Sequence, residues 1–307
     1  MKQCNKHSRF PLIVTLLTLV FLYTPLILVA VASFNASKYG GAWTRFSLIW
    51  YRKLFQERSI WEALTNTLVI ALISTFFSTL LGTLSALALH RSRSRLRGIY
   101  YALVHTPLVV PDILLGISLL LLFVTVLSVC GEWVRRVFGI EMELGMTTII
   151  IAHITFCMSY VTMVVLGRLQ EFDSSLVEAA QDLGASGLYT FFRVTLPIIS
   201  PGIIAGALFA FTLSIDDFVI TFFVKGAGDT TLPIYIQSAM RRGTPAVINA
   251  LSVVFLIMTF VLVFVTQKPL SNKTENQSTF CNFFFQQMIT AIFFYTILIG
   301  QYHNNQK

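Results

Sequence analysis

Six stretches of this 307-residue sequence run close to or beyond about 18 residues with at most two charged side chains each: Pro11–Phe34, Leu64–Leu89, Tyr101–Cys130, Thr147–Gly167, Ile198–Val224 and Val247–Thr266. Hydrocarbon offers no water to the backbone, so runs of that length cross it only as helices that satisfy their own amides and carbonyls. A soluble core is a poor alternative home. The chain carries 27 phenylalanines and only 12% charged residues, against roughly 25% in a soluble domain. The expected fold is therefore all-α, a polytopic membrane protein with six transmembrane helices. A seventh apolar run, Phe280–Gly300, follows a polar stretch near the C-terminus.

The first run is too long for the apolar region of a signal peptide and has no small-residue cleavage site behind it, so it stays as a span. Basic residues Lys2, Lys6 and Arg9 precede it, which favours a cytoplasmic N-terminus over residues 1–10. Counting further is nearly neutral. With that orientation the inner segments hold Lys2, Lys6, Arg9, Arg91, Arg93, Arg95, Arg97, Arg168, Arg193, Lys268 and Lys273. The outer loops hold Lys38, Arg45, Arg52, Lys53, Arg58, Arg135, Arg136, Lys225, Arg241 and Arg242. Density breaks the tie, because His90–Arg97 packs four arginines into eight residues.

The net charge of +8 does not point to nucleic acid, since no basic stripe with interleaved aromatics stands outside the apolar runs. Cys4, Cys130, Cys157 and Cys281 are scattered, with no CxxC pair. His105 and His153 fall inside spans without metal-ligand spacing and suit polar glue between helices. Phosphate-binding, zinc-protease and nucleophile-elbow motifs are missing. No catalytic residue, metal or cofactor is expected.

Three acids at membrane depth carry more information, because a charge there is costly and faces a cavity or a partner. Asp112 lies in Pro107-Leu-Val-Val-Pro111-Asp112, where two prolines should kink or break the third span. Asp216 and Asp217 interrupt the fifth span. Neighbours on a helix are about 100° apart, so both face one way only if the helix unwinds. Carboxylates on a wet path attract cations. The plainer alternatives are an interhelical bond for Asp112, and a helix that ends early for the other pair.

Between the fourth and fifth runs lies a polar island, within residues 174–197, that is built like a folded object. Ser175 and Glu178 have capping-box spacing, and Ala179, Ala180 and Leu183 favour helix. Gly184 sits where a helix C-cap wants positive φ. Gly187 allows a second bend, Leu188–Val194 a short amphipathic piece, and Pro197 should end it.

The island resembles a family signature. Glu178-Ala179-Ala180, Gly184, Val194 and Leu196-Pro197 match the EAA-loop pattern of membrane subunits of bacterial ABC importers, with Val194 in place of the usual isoleucine. Further segments resemble the PotC-type permeases of spermidine/putrescine importers over about residues 10–268: SFNASKYGGAW, PLVVPDILLGISLLLLF, AHITFCMSYV and FTLSIDDFVITFFVKG.

The resemblance implies a type I ABC importer permease domain at 11–268 in the bacterial inner membrane, importing polyamines by alternating access. It also implies three protein partners: a cytoplasmic ATP-binding subunit dimer that hydrolyses the ATP, a second homologous permease subunit, and an extracytoplasmic polyamine-binding protein. The coupling residues would be Glu178, Ala179, Ala180, Asp182, Leu183, Gly184, Leu196 and Pro197. Asp112, Asp216 and Asp217 would see the cation.

Rival readings are a related permease for iron or another small solute, an ion-coupled secondary transporter with Asp112 as coupling acid, and a membrane scaffold. Residues 269–307, a polar linker and an apolar tail, depart from the family. Phe280–Gly300 is long enough to span, but its composition suits a non-functional appendage.

Overall fold

Apolar runs and polar turns alternate along the chain, and the computed structural model turns them into a succession of helices. It describes residues 9–37, 43–92, 94–138, 143–173, 175–242 and 246–257. The remaining residues, including the tail at 269–307 with Phe280–Gly300 and the end of the sixth expected span, lie outside the described residues. The helices are α1 (Arg9–Ser33), α2 (Ile49–Gln56), α3 (Arg58–Arg91), α4 (Arg97–Val109), α5 (Asp112–Phe138), α6 (Met146–Gln170), α7 (Ser175–Asp182) and α8 (Gly187–Thr190). A π-helical turn, Phe191–Thr195, leads into α9 (Leu196–Asp216), followed by α10 (Val219–Val224), α11 (Leu232–Arg241) and α12 (Ala246–Ile257). Among the described residues there is no strand, only an isolated bridge between Asn35 and Phe46.

Among the described residues, five helical stretches are long and apolar enough to cross a membrane: Ile13–Ser33, Arg58–Arg91, Asp112–Val129, Met146–Gln170 and Gly187–Asp216. The third expected span is therefore not one helix. It breaks at Val110–Pro111 into α4 and α5, because Pro111 has no amide to carry the ladder on and biases the residue before it to extended backbone. Val110 takes that conformation, with ψ 131°.

The chain divides into two compact units, Ser59–Tyr235 and the residues up to Arg58 with those from Ile236 onward. In the second, Trp50 packs on Ala246 and Ala250 and its indole donates to the Asn35 carbonyl at 2.8 Å. The first is organised on α6, whose apolar window is 56% buried, more than any other span. Ile149, Ala152, Cys157, Val161 and Val165 sit at its centre.

Small residues let the neighbours of α6 approach closely. A Cβ on Gly82 of α3 would fall 2.7 Å from Val161 Cβ, and one on Gly206 of α9 would fall 3.2 Å from Val161 Cγ1. Alanine at Gly82 has no room without moving a helix.

Candidate functional site

The break in the fifth run is the most densely bonded polar spot among the described residues. α9 stops at Asp216, and Asp217 turns extended with φ −67° and ψ 120°. Its carboxylate then caps α10. Oδ1 accepts from the Ile220 amide at 3.2 Å, and Oδ2 accepts from the Thr221 amide and the Thr221 hydroxyl, both at 2.8 Å. His153 Nε2 on α6 lies 3.3 Å from the same Oδ2 and 2.9 Å from Thr221 Oγ1. Because the Thr221 proton is committed to Asp217, Thr221 Oγ1 accepts from His153 Nε2–H.

The other imidazole nitrogen, Nδ1, is 2.7 Å from Ser214 Oγ, which is 3.0 Å from Ser74 Oγ on α3. One histidine thus ties α6 to both sides of the break, with α3 joined through two serines. At the far end of α10, the Thr148 hydroxyl on α6 lies 2.8 Å from the Val224 carbonyl. The side chains of His153 and Asp217 are only 2% and 9% exposed.

Asp112 and Asp216 are placed differently. Asp112 opens α5 and is exposed; Asp216 ends α9 and is partly buried. Neither makes a hydrogen bond or ion pair with a described residue, although both lie within reach of the charge on Asp217. The structure thus gathers the three sequence-nominated acids in one region, yet only Asp217 is engaged by the protein. The negative end of the α9 dipole lies beside Asp216. Pro111 also denies Pro107 its intrahelical donor, which leaves carbonyls at the end of α4. Both features favour a cation over an anion. Tyr160 is within the field of Asp112 and stacks edge-on with Phe156 and Phe209 at 5.0 and 5.2 Å.

The polar island folds as two capped pieces, with two corrections to the expected local chemistry. Ser175 is the first residue of α7 rather than its cap. The capping carboxylate belongs to Asp173, whose Oδ1 accepts from the Ser175 amide at 2.9 Å. Hydrogen bonds from the Ser175 amide and hydroxyl hold the Asp173 carboxyl below the usual carboxylate range. At the other end Gly184 has φ +84°. The amides of Ala185 and Gly184 donate to the carbonyls of Ala180 and Gln181 at 3.1 and 2.8 Å, the double bond of a Schellman cap.

Ser186 then caps α8 by accepting from the Tyr189 amide. Pro197 does not end the segment. The helix runs unbroken from Gly187 to Asp216, and the π turn just before the proline, with the Leu196 amide reaching the Phe191 carbonyl, widens the ladder where the ring would clash. Glu178, Ala179, Asp182, Gly184 and Pro197 are exposed, and Ala180 and Leu196 are partly so. Leu183 is 90% and Leu188 75% exposed, an apolar face that no described residue covers.

The inward bonding of Asp217 through His153 was not legible in the sequence, although His153 as polar glue was. Ser74, Thr148, Ser214 and Thr221 look like ordinary small polar residues of apolar helices.

Comparison with known proteins places these features. Residues 78–267 match the family model described as binding-protein-dependent transport system inner membrane component. The chain is 42% identical over 252 residues to the putrescine transport system permease protein PotI of Escherichia coli K12, covering 81% of this chain and 86% of the relative. It is 36% identical over 258 residues to the spermidine/putrescine transport system permease protein PotC of the same strain, covering 84% and 92%.

Its fold matches a subunit of a bacterial ABC transporter for import of the acidic polysaccharide alginate, with TM-score 0.67 at 20% identity over 87% of this chain and 97% of that one. The MetNI methionine ABC transporter matches with TM-score 0.54 at 20% identity, over 75% and 100%. The all-α fold is thus that of ABC importer membrane subunits of the type I kind. A multi-pass helical chain with a structured polar loop before its fifth span, this protein belongs to the family of binding-protein-dependent transport system inner membrane components.

Proposed function

We propose that this chain is one of the two permease subunits of an ATP-driven importer that brings polyamines into the cytoplasm by alternating access. The observation that carries the reading is its identity to putrescine and spermidine/putrescine permeases across four-fifths of its length. The geometry supports a cationic cargo. Asp112 and Asp216 are carboxylates without partners among the described residues, beside helix C-termini and an aromatic group of Tyr160, Phe156 and Phe209.

The island at 174–197 supplies the coupling contact with a cytoplasmic ATP-binding subunit dimer, where ATP is hydrolysed. Leu183 and its exposed neighbours enter an apolar cleft, with Glu178 or Asp182 giving a charged contact, and Ala179, Ala180, Gly184, Leu196 and Pro197 hold the shape. Closure of the dimer on ATP then moves the island as a rigid body. This requires the island, and with it the N-terminus, on the cytoplasmic side. A second homologous permease completes the path, and an extracytoplasmic polyamine-binding protein delivers cargo to the loops around Phe34–Ala63 and Lys225–Ala246. The family match ends at residue 267, which supports a tail at 269–307 that transport does not need.

The test is uptake of labelled putrescine and spermidine by the complex in proteoliposomes. Uptake should require binding protein and ATP and should fall at least about tenfold in Asp112→Asn and Asp216→Asn, as a lost charge-assisted contact would produce. Uptake that survives without the ATPase and collapses with uncouplers would mean a secondary transporter. Uptake of iron or another solute alone would reassign the cargo. Loss of transport at normal membrane levels on deletion of 275–307 would give the tail a role.

A further inference from the structure

Asp216 and Asp217 are adjacent in sequence and identical in chemistry, yet the fold treats them oppositely. An ionised carboxylate offers about four lone-pair sites. Asp217 accepts from three donors, the Ile220 amide, the Thr221 amide and the Thr221 hydroxyl, and His153 Nε2 closes over the same Oδ2 at 3.3 Å. The carboxylate is bonded and covered from within the protein. Among the described residues nothing donates to Asp216 or Asp112.

What separates the two neighbours is the unwinding at residue 217, and the group that secures it comes from another helix. His153 is itself held on its far side by Ser214 and, through it, Ser74. The imidazole therefore cannot swing away without opening bonds on both faces. α10 is pressed from the opposite side by α5, where a Cβ at Gly116 would fall 2.8 Å from Phe223 Cδ2. Among the described residues, Asp217 has no route to rotate outward while this arrangement stands.

We infer that His153 is a positioning residue for transport: it locks Asp217 onto the start of α10, withdraws that carboxylate from the cargo, and leaves Asp112 and Asp216 as the pair this chain presents to a cation. The inference rests on the polyamine-transport reading for its cargo, but the lock itself is a statement about the fold.

The experiment compares Asp216→Asn, Asp217→Asn, His153→Ala and His153→Gln in the full reconstituted complex, measuring KM and kcat for putrescine uptake and the thermal unfolding midpoint. Asp216→Asn should raise KM about tenfold or more with little change in midpoint. Asp217→Asn and His153→Ala should lower both kcat and midpoint, with KM within about twofold of the parent. The double variant should be no worse than either single one, the non-additivity expected of groups that act as one unit.

His153→Gln should recover much of the loss, since an amide can donate to Thr221 Oγ1 and accept from Ser214. A KM rise in Asp217→Asn equal to that in Asp216→Asn, or strictly additive effects of His153 and Asp217, would overturn the assignment. If the parent complex imports no polyamine, the cargo reading fails while the midpoint cycle still decides the lock. Should His153→Ala fail to assemble, Thr221→Val with Asp217→Asn supplies the same cycle.

Discussion

Two aspartates in this protein do the same job in opposite surroundings. Asp173 caps α7 on the exposed island through the Ser175 amide. Asp217 caps α10 deep among α6, α9 and α10, and also takes the Thr221 hydroxyl and His153. At the island, water replaces any bond that is lost, so the cap shapes the loop without deciding whether the protein folds. At the break no water substitutes, and each donor removed strands its acceptor. Exposure also separates their purposes. Around Asp173 the apolar side chains point outward and wait for a partner. Around Asp217 the polar groups point inward and are closed to one.

The comparison breaks most visibly at Thr221. Thr221→Val keeps the shape but removes a donor to Asp217 and the acceptor for His153. With each of the two stranded groups costing about 1–3 kcal/mol, the variant should lose roughly 2–6 kcal/mol. A thermal melt of the purified permease should show a drop of several degrees, and an unchanged melt would mean that water reaches the break.

Next comes Leu183→Asp on the island. An exposed substitution should leave stability within about 0.5 kcal/mol. ATP hydrolysis stimulated by the binding protein should nonetheless fall about tenfold or more, the scale of a lost interface anchor. Stimulation at the parental level would remove Leu183 from the docking face.

The smallest effect is expected at Asp173. Its carboxyl is held below the ordinary range in the folded chain, so its contribution is complete above the ordinary carboxylate pKa and is lost as pH falls through the folded value. Hydrogen exchange at the Ser175 amide should quicken over that acid window. Asp173→Asn should abolish the pH dependence, and a parent without one would refute the cap.

Much of this architecture was legible in one dimension. Apolar run length located the described spans, since a membrane-crossing helix has a minimum length and tolerates few charges. Paired prolines before Asp112 marked the break in the third span, and Gly184 marked a helix end, because each is a local property of the backbone. The sequence places the start of α7 one residue late, since Asp173, Ser175 and Glu178 all carry side chains able to cap. Pro197 reads as a terminator in one dimension because sequence does not reveal a π turn that absorbs its ring.

By itself, then, the sequence determined an all-α membrane chain, the polar island, and three acids as the costly charges within it. Hydrophobic burial and backbone satisfaction are written residue by residue. Only the tertiary structure decided that Asp217 is satisfied while Asp216 is not. That distinction depends on His153, 64 positions away in the chain, and hydrogen-bond capacity is filled by whatever the fold brings within about 3 Å.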